Sequence, residues 1–172
     1  SREKLTIATS VFECMELFGF RNTVISDESG AACYKTWSTG AFVNRSSGRL
    51  SKLSQHVIDS ITYEPKADME YMERKIIVPK AGYIHHDPVK VKHDDIDYNL
   101  HMNNAHYVRI ATEYLPHDFE VRKLRIEYKK PAKMGDLLYP CVVVNDRGVI
   151  YIVLTDDSEN IFAAMEFFGN MN

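Results

Sequence analysis

Apolar and polar positions in the second half of the chain follow the spacing of one helix and several strands. Apolar side chains recur every three or four residues over positions 105–115, which predicts an amphipathic helix. Asn103 is typical of a helix N-cap, and Pro116 ends the helix. The apolar stripe consists of Tyr107, Ile110, Ala111, Tyr114 and Leu115.

Strands are predicted on both sides of this helix. In residues 121–130, Leu124 and Ile126 alternate with Lys123 and Arg125, which predicts one apolar face and one face exposed to solvent. The helix must bury its stripe, and the apolar face of the sheet is the large partner available. The pattern therefore predicts an α+β fold with a long helix on an antiparallel sheet. The predicted strands cover residues 88–93, 121–130, 137–145, 149–155 and 161–168.

A repeat links the two halves of the chain. Residues 24–40 (VISDESGAACYKTWSTG) align without gaps with residues 153–169 (VLTDDSENIFAAMEFFG), an offset of 129 from position 24 to position 153. Both read as strand, acidic turn and strand, although acidic turns are common and a chance similarity is the alternative. A true repeat implies that the strand and helix of the first copy precede Ser1. The strands predicted for the first copy cover residues 5–15, 20–26 and 32–43.

The domain organisation follows from this repeat. We expect residues 1–54 to form the C-terminal strands of a first unit that is incomplete at its N-terminal side. Residues 55–86 are predicted to connect the units, and residues 87–172 to form a complete second unit. A short helix is expected after the polar, basic turn at residues 44–54.

Composition narrows the class of protein. The chain has 172 residues, of which 45% are hydrophobic and 26% charged, as in globular proteins and unlike disordered or fibrous chains. Its longest apolar run, residues 149–154, is too short to cross a membrane. Residues 1–4 do not resemble a signal peptide, and the net charge of −3 argues against a general nucleic-acid binder.

Three cysteines indicate the redox environment. Cys14, Cys33 and Cys141 are odd in number, widely spaced and set in apolar or strand-like contexts. This pattern predicts buried thiols in a reducing compartment rather than a disulfide framework or a zinc site. We therefore expect a cytoplasmic protein.

The densest polar segment, residues 94–104, lies between a predicted strand and the start of the helix. Asp97, Asn99 and His101 alternate, so in an extended segment their side chains project to one side. A carboxylate and an imidazole can exchange protons with water, while an amide and the free N–H groups of a helix start can stabilise an oxyanion. These groups suit acyl transfer to water. The alternative is that Asp and Asn shape a turn and cap the helix, with His101 packed in the loop.

At this point the sequence resembles a family. DYNLHMNN at 97–104, AHYV at 105–108 and EYLP at 113–116 resemble the hallmark segment of acyl-acyl carrier protein thioesterases. IEYKK at 126–130 resembles the strand that follows the helix in that family. Residues 37–53 resemble the last strand and basic turn of its first hot-dog unit. The resemblance covers nearly the whole chain and implies a tandem hot-dog fold.

The resemblance also implies an activity and its residues. Asp97, Asn99 and His101 match the positions assigned to catalysis in the family, which hydrolyses the thioester between a fatty acyl chain and the phosphopantetheine arm of acyl carrier protein. Asp97 or His101 would activate or orient water, and Asn99 would hold the reacting groups. From geometry we add the backbone N–H near Asn104 as a donor to the thioester carbonyl. No metal or organic cofactor is expected.

The chain departs from the family at one place. Plant members carry a Glu-Cys pair after the basic dipeptide of the strand, where this sequence has Pro131 and Ala132. Neither side chain can act as an acid, base or nucleophile, which leaves water activation to Asp97 and His101. Glu113 and Glu127 are candidate substitutes, but we expect both to be solvated surface residues.

Two further clusters have competing interpretations. A metal site at His85, His86, Asp87 and His93 is not favoured, because adjacent histidines on a strand point to opposite faces. Basic residues around Lys129 and Lys130 form either a solvated sheet face or a docking surface for the acidic carrier protein. The other basic residues of this group are Arg122, Lys123, Arg125 and Lys133, with Arg45, Arg49 and Lys52 as an extension.

Other functions remain open from the sequence. An acyl-coenzyme A thioesterase would use the same chemistry. A non-catalytic acyl-binding hot-dog module is compatible with Pro131 and Ala132, and a structural assembly module would have its first unit completed by a partner chain. The sequence leaves the oligomeric state open, with a homodimer as one option.

Overall fold

The protein comprises two compact units in a computed structural model that describes residues 4–171. The units are Ser1–Met72 and Glu73–Asn172, so their boundary lies inside the predicted connector. Residues 1–3 and 172, the outer limits of the two predicted units, lie outside the described residues.

The first unit contains an antiparallel sheet in the order β1-β2-β3. Its strands are β1 (Thr6–Cys14), β2 (Phe18–Ser26) and β3 (Ala32–Ala41), and the predicted short helix is α1 (Gln55–Asp59). Asn22, which is 3% exposed, ties the middle strand to the segment that follows α1. Its side-chain oxygen accepts the Ala67 N–H at 3.1 Å and the Tyr71 hydroxyl at 2.8 Å.

The second unit contains a larger antiparallel sheet and one longer helix, α2 (Asn104–Thr112). The sheet order is β4-β7-β8-β9-β6, with β5 pairing on β7. In the part of the chain that the structure describes, no helix is long and apolar enough to cross a membrane. The strands are β4 (Ile84–His85), β5 (Val89–Lys90), β6 (Phe119–Tyr128), β7 (Leu137–Val144), β8 (Ile150–Thr155) and β9 (Ile161–Met171).

The helix α2 forms where its spacing predicts, but it ends at Thr112 and not at Pro116. The side chain of Asn103 accepts the Ala105 N–H at 2.9 Å and caps the helix, which confirms the predicted N-cap. Tyr107, Ile110 and Ala111 are each at most 4% exposed and pack into the core formed with the sheet. Sheet residues in this core include Leu138, Ile152, Leu154, Met165 and Phe167.

The repeat extends to the register of the strands. Ile25 pairs with Tyr34 in the β2–β3 hairpin, and Leu154 pairs with Ala163 in the β8–β9 hairpin, at the predicted offset of 129. Both hairpins have a register shift at the last pair before the turn. Both turns contain a residue with positive φ at the equivalent position, Gly30 at 86° and Glu159 at 62°. The two hairpins are therefore built in the same way.

The prediction of a solvent-exposed polar face on β6 is wrong. Residues 73–78 cover this face: Glu127 accepts the Ile76 N–H at 3.1 Å, and Arg125 donates to the carbonyl of Glu73. Ile76 is 2% exposed and packs on a cluster with Cys141 and Val153. The alternation was correct, but the segment that packs on it comes from about fifty residues earlier in the chain.

The three cysteines differ in burial. Cys141 is buried and Cys14 is partly buried, but Cys33 is exposed on β3. The prediction of a buried thiol is therefore wrong for Cys33. The alternating pattern of β3 did not show that the side of the strand that carries Cys33 is exposed to solvent.

Candidate active site

The polar segment before α2 is a turn, not an extended strand. The Asp97 carboxylate accepts the N–H groups of Asn99 at 2.8 Å and His101 at 3.4 Å. The Asp97 N–H donates to the His101 carbonyl at 2.8 Å, and Leu100 adopts a φ of 61°. The predicted extended alternation is therefore wrong, because a carboxylate at the first turn position satisfies the loop N–H groups locally.

The turn nevertheless brings the predicted site residues to one place. A cavity of about 440 Å³ is lined by residues of this turn, the start of α2 and the end of β6. All six predicted residues line it: Asp97, Asn99, His101, Asn104, Lys129 and Lys130. The other lining residues are Met102, Asn103, Tyr107, Tyr128 and Pro131.

Several polar groups in this cavity are available for a ligand. Among the described residues, no hydrogen-bond partner is found for the side chains of Asn99, His101 and Asn104, or for the Asn104 N–H. Asp97 uses Oδ1 for the turn, which leaves Oδ2 available. A carboxylate oxygen, an imidazole, two amides and a helix-start N–H therefore share one cavity.

The two lysines at the end of β6 already have acidic neighbours. Lys129 lies 3.6 Å from Glu127, and Lys130 lies 3.0 Å from Asp156 and over the ring of Phe162. The Lys130 side chain is 52% exposed, so it keeps contact with solvent. These pairings reduce the positive charge that the lysines present to a ligand.

Two tyrosines form part of the cavity wall, and the sequence pattern did not distinguish them from core residues. The Tyr128 hydroxyl donates to the Asn104 carbonyl at 3.1 Å, and burial raises the pKa of Tyr128 to about 12. The Tyr107 oxygen accepts the Ala132 N–H at 2.8 Å. The spacing could have indicated that Tyr107 lines the site, because it lies one helical turn after Asn104 and therefore on the same face of the helix.

Asp95 joins both ends of the turn segment to α2. This residue is 5% exposed, and its Oδ1 lies 2.7 Å from both His106 Nδ1 and Arg109 Nη2. Its Oδ2 accepts the Lys92 N–H at 2.8 Å, and its carbonyl accepts the Asn103 N–H at 2.8 Å. Burial raises the pKa of Asp95, but these donors outweigh it and hold the pKa below the ordinary value.

The remaining candidates lie elsewhere. Glu113 and Glu127 do not line the cavity, and Arg125 is too buried to belong to an exposed basic surface. His85 lies beside Cys141 at 3.3 Å, and the His86 ring lies 4.6 Å from the Tyr114 ring at a tilt of 47°. In the described part of the chain, no group of three or more His, Cys, Asp or Glu side chains is arranged to hold a metal ion.

The fold and the site together define the class of protein. A helix packed on an antiparallel sheet, with a polar turn at the helix start, is the hot-dog fold, and solved structures share it. A candidate oleoyl thioesterase from Lactobacillus plantarum is 19% identical with a TM-score of 0.81, over 98% of this chain and 69% of that one. An acyl-ACP thioesterase from Bacteroides thetaiotaomicron is 17% identical with a TM-score of 0.78 over the same shares.

A third solved structure shows the same likeness. The 12:0-ACP thioesterase from Umbellularia californica is 16% identical with a TM-score of 0.79, over 99% of this chain and 69% of that one. Residues 80–161 match the family model described as acyl-ACP thioesterase C-terminal domain. No curated protein sequence matches the chain significantly. The match over residues 80–161 supports the acyl-ACP thioesterase family for this part of the chain, and with it thioester hydrolysis as the general reaction.

Proposed function

We propose that this protein hydrolyses fatty acyl thioesters of acyl carrier protein to free fatty acid and the holo-carrier protein. The observation that carries the proposal is the single cavity lined by Asp97, Asn99, His101 and Asn104. Its polar groups include a base, an imidazole and donors for an oxyanion. The chemistry requires no metal or organic cofactor.

The proposed reaction assigns a role to each residue. Water attacks the thioester carbonyl carbon and gives up a proton to Asp97 Oδ2, while His101 orients the water. The Asn104 N–H donates to the developing oxyanion, and Asn99 holds the reacting groups. When the carbon–sulfur bond breaks, the proton passes to the leaving phosphopantetheine thiolate. One well-placed oxyanion donor lowers a barrier of this type by about 3 kcal/mol.

The choice of carrier protein as the acyl donor rests on the family and on charge. Lys129 and Lys130 line the cavity and suit an acidic partner, and two similar structures are named as acyl-ACP thioesterases. Acyl-coenzyme A is the second candidate, because both lysines already pair with carboxylates and present little surplus charge.

Fatty acid biosynthesis in the cytoplasm is the proposed setting. A homodimer is a separate prediction that light scattering tests.

Asp97→Asn is the sharpest test of the proposed chemistry. The amide oxygen can still accept the two loop N–H groups, whereas the base at Oδ2 is lost. We expect turnover of an acyl-carrier-protein thioester to fall by at least about 100-fold, the size typical of removing a general base. The matched control is Asp27→Asn, which makes the same change in a turn of the same geometry in the other unit.

The outcomes of this test separate the alternatives. Loss of turnover in Asp97→Asn with normal turnover in Asp27→Asn supports the proposal. Wild-type turnover in Asp97→Asn contradicts the assigned chemistry. If the wild-type protein binds acyl carrier protein or fatty acid but releases no product, it is the non-catalytic acyl-binding module.

A further inference from the structure

Tyr107 is a buried residue that lines the cavity, and among the described residues its hydroxyl has no acceptor for its proton. Tyr107 is 2% exposed, and its oxygen accepts the Ala132 N–H at 2.8 Å. Within residues 4–171, no acceptor is found for the hydroxyl proton. Buried hydroxyl groups ordinarily use their donor as well as their acceptor capacity, so this donor is available to a group that enters the cavity.

The neighbouring Tyr128 provides a contrast. Its ring contacts that of Tyr107 edge-to-face with a centroid distance of 5.5 Å, and both residues line the cavity. The Tyr128 hydroxyl, however, donates to the Asn104 carbonyl. Of these two phenols, only Tyr107 therefore has a proton to offer.

Tyr107 lies on the same face of α2 as the Asn104 N–H, which is the proposed oxyanion donor. Asn104 is the first residue of α2, and Tyr107 lies one helical turn later on the same face. On the other side of the hydrogen bond between Ala132 and Tyr107, the side chains of Pro131 and Ala132 cannot donate a hydrogen bond. The Met102 N–H donates to the Ala132 carbonyl at 2.8 Å, so the backbone that orients the Tyr107 oxygen is itself held in place.

We propose that Tyr107 is a further catalytic residue, whose hydroxyl donates a hydrogen bond to the carbonyl oxygen of the bound thioester. This rests on the proposed hydrolysis and adds a second donor to the Asn104 N–H. The phenol acts as a neutral donor, not as a base, because burial raises the pKa of Tyr107 despite the opposing bond from Ala132. A donor of this kind strengthens its bond as the carbonyl oxygen becomes negative.

Tyr107→Phe removes the donor and keeps the ring. We expect kcat for acyl-thioester hydrolysis to fall by about 100-fold or more, with KM changed little, as for loss of one oxyanion donor. The matched variant Tyr128→Phe removes a hydroxyl whose proton is already used, and a smaller loss of kcat is expected. Equal losses in the two variants contradict the proposal.

A merely structural role for Tyr107 requires a separate test, because Tyr107→Phe also leaves the Ala132 N–H without its acceptor. Replacing Tyr107 with a fluorinated tyrosine keeps the oxygen and makes the phenol more acidic, and the ultraviolet absorbance of the phenolate shows over which pH range it ionises. If the hydroxyl donates to the substrate, activity of this variant falls as the pH rises and the phenol ionises. If the oxygen only accepts from Ala132, ionisation does not reduce activity, and that result overturns the proposal.

Comparison with Asp97→Asn distinguishes the two proposals. If Asp97→Asn is impaired while the fluorinated variant keeps the wild-type pH profile, hydrolysis stands and the role of Tyr107 is wrong. If Asp97→Asn retains wild-type turnover, the proposed chemistry itself fails. The fluorinated variant preserves both the ring and the hydroxyl oxygen, so the test remains decisive even if Tyr107→Phe does not fold.

Discussion

Asp97 and Asn145 hold two turns with the same hydrogen bonds. The Asp97 carboxylate accepts the N–H groups two and four residues later at 2.8 and 3.4 Å. The Asn145 side-chain oxygen does the same at 2.9 and 3.0 Å. The fourth residue has positive φ in both turns, at 61° for Leu100 and 74° for Gly148. The turn therefore requires a side-chain oxygen at its first position, but not a negative charge.

The first prediction concerns the stability of variants at Asp97. Asp97→Asn keeps the accepting oxygen, so we expect the free energy of unfolding to change by less than about 0.5 kcal/mol. Asp97→Ala removes the oxygen from two N–H groups and is expected to cost about 1–2 kcal/mol. Urea unfolding measures both. Equal stability of the Asn and Ala variants would show that the carboxylate does not maintain the turn.

The turn at Asp97 also shows which parts of the site could be predicted from the sequence. Spacing alone predicted α2, its Asn103 cap and the grouping of Asp97, Asn99 and His101 with the start of the helix. It did not predict the turn, because alternation along a short polar segment does not reveal hydrogen bonds made to a neighbouring backbone. The spacing predicted Tyr107 only as a core residue, because residues that line a cavity and residues in a packed core show the same helical periodicity.

Long-range packing accounts for the other differences. The polar residues Arg125 and Glu127 follow the pattern of a solvated strand face, yet residues 73–76 bind them. A contact between positions about fifty residues apart leaves no trace in local periodicity. The pairing of Lys130 with Asp156 is another example, since neither position alone indicates the other.

The second prediction concerns the acid stability contributed by Asp95. The folded state lowers the pKa of this carboxyl below its ordinary value of 3.8, although burial acts in the opposite direction. Its stabilising contribution is therefore complete above pH 3.8 and is lost as the pH falls towards the lower, folded-state pKa. At pH 7 we expect Asp95→Asn to lower the free energy of unfolding by roughly 1.5–3 kcal/mol.

Unfolding curves over a range of pH test this prediction. The difference between the wild type and Asp95→Asn should shrink as the pH falls below 3.8. Asp94→Asn is the matched control, because the Asp94 side chain is fully exposed and only loosely paired with His93. A difference that is constant with pH would mean that protonation of Asp95 is not coupled to folding.

The third prediction concerns the ion pair between Arg125 and Glu166. These side chains are 16% and 6% exposed, and Arg125 also donates to the Glu73 carbonyl. Glu166→Gln leaves a buried guanidinium without its counter-charge, and we expect a loss of about 3–5 kcal/mol. The double variant Arg125→Met/Glu166→Met removes both charges and should be less destabilised than the single variant. A double-mutant cycle measures the coupling, and additive losses would show that the pair contributes none.

The fourth prediction separates the two candidate acyl donors. Lys129→Glu/Lys130→Glu reverses the charge at the cavity edge and adds repulsion towards Asp156. If an acidic carrier protein docks there, kcat/KM for its acyl thioester should fall by about 10-fold or more, and the dependence on salt should weaken. Hydrolysis of the same acyl group on coenzyme A should change much less, because it requires no docking of the carrier.

Arg147→Glu serves as the control for this charge reversal. Arg147 lies in the turn before β8, whereas Asp156 and Lys130 lie at the other end of that strand, about 20 Å away. Arg147→Glu makes the net charge more negative, as Lys129→Glu/Lys130→Glu does, but it leaves the cavity edge unchanged. A loss for both donors alike in Lys129→Glu/Lys130→Glu would indicate damage to the site. A selective loss for coenzyme A would favour the second candidate, because the lysines would then bind the coenzyme.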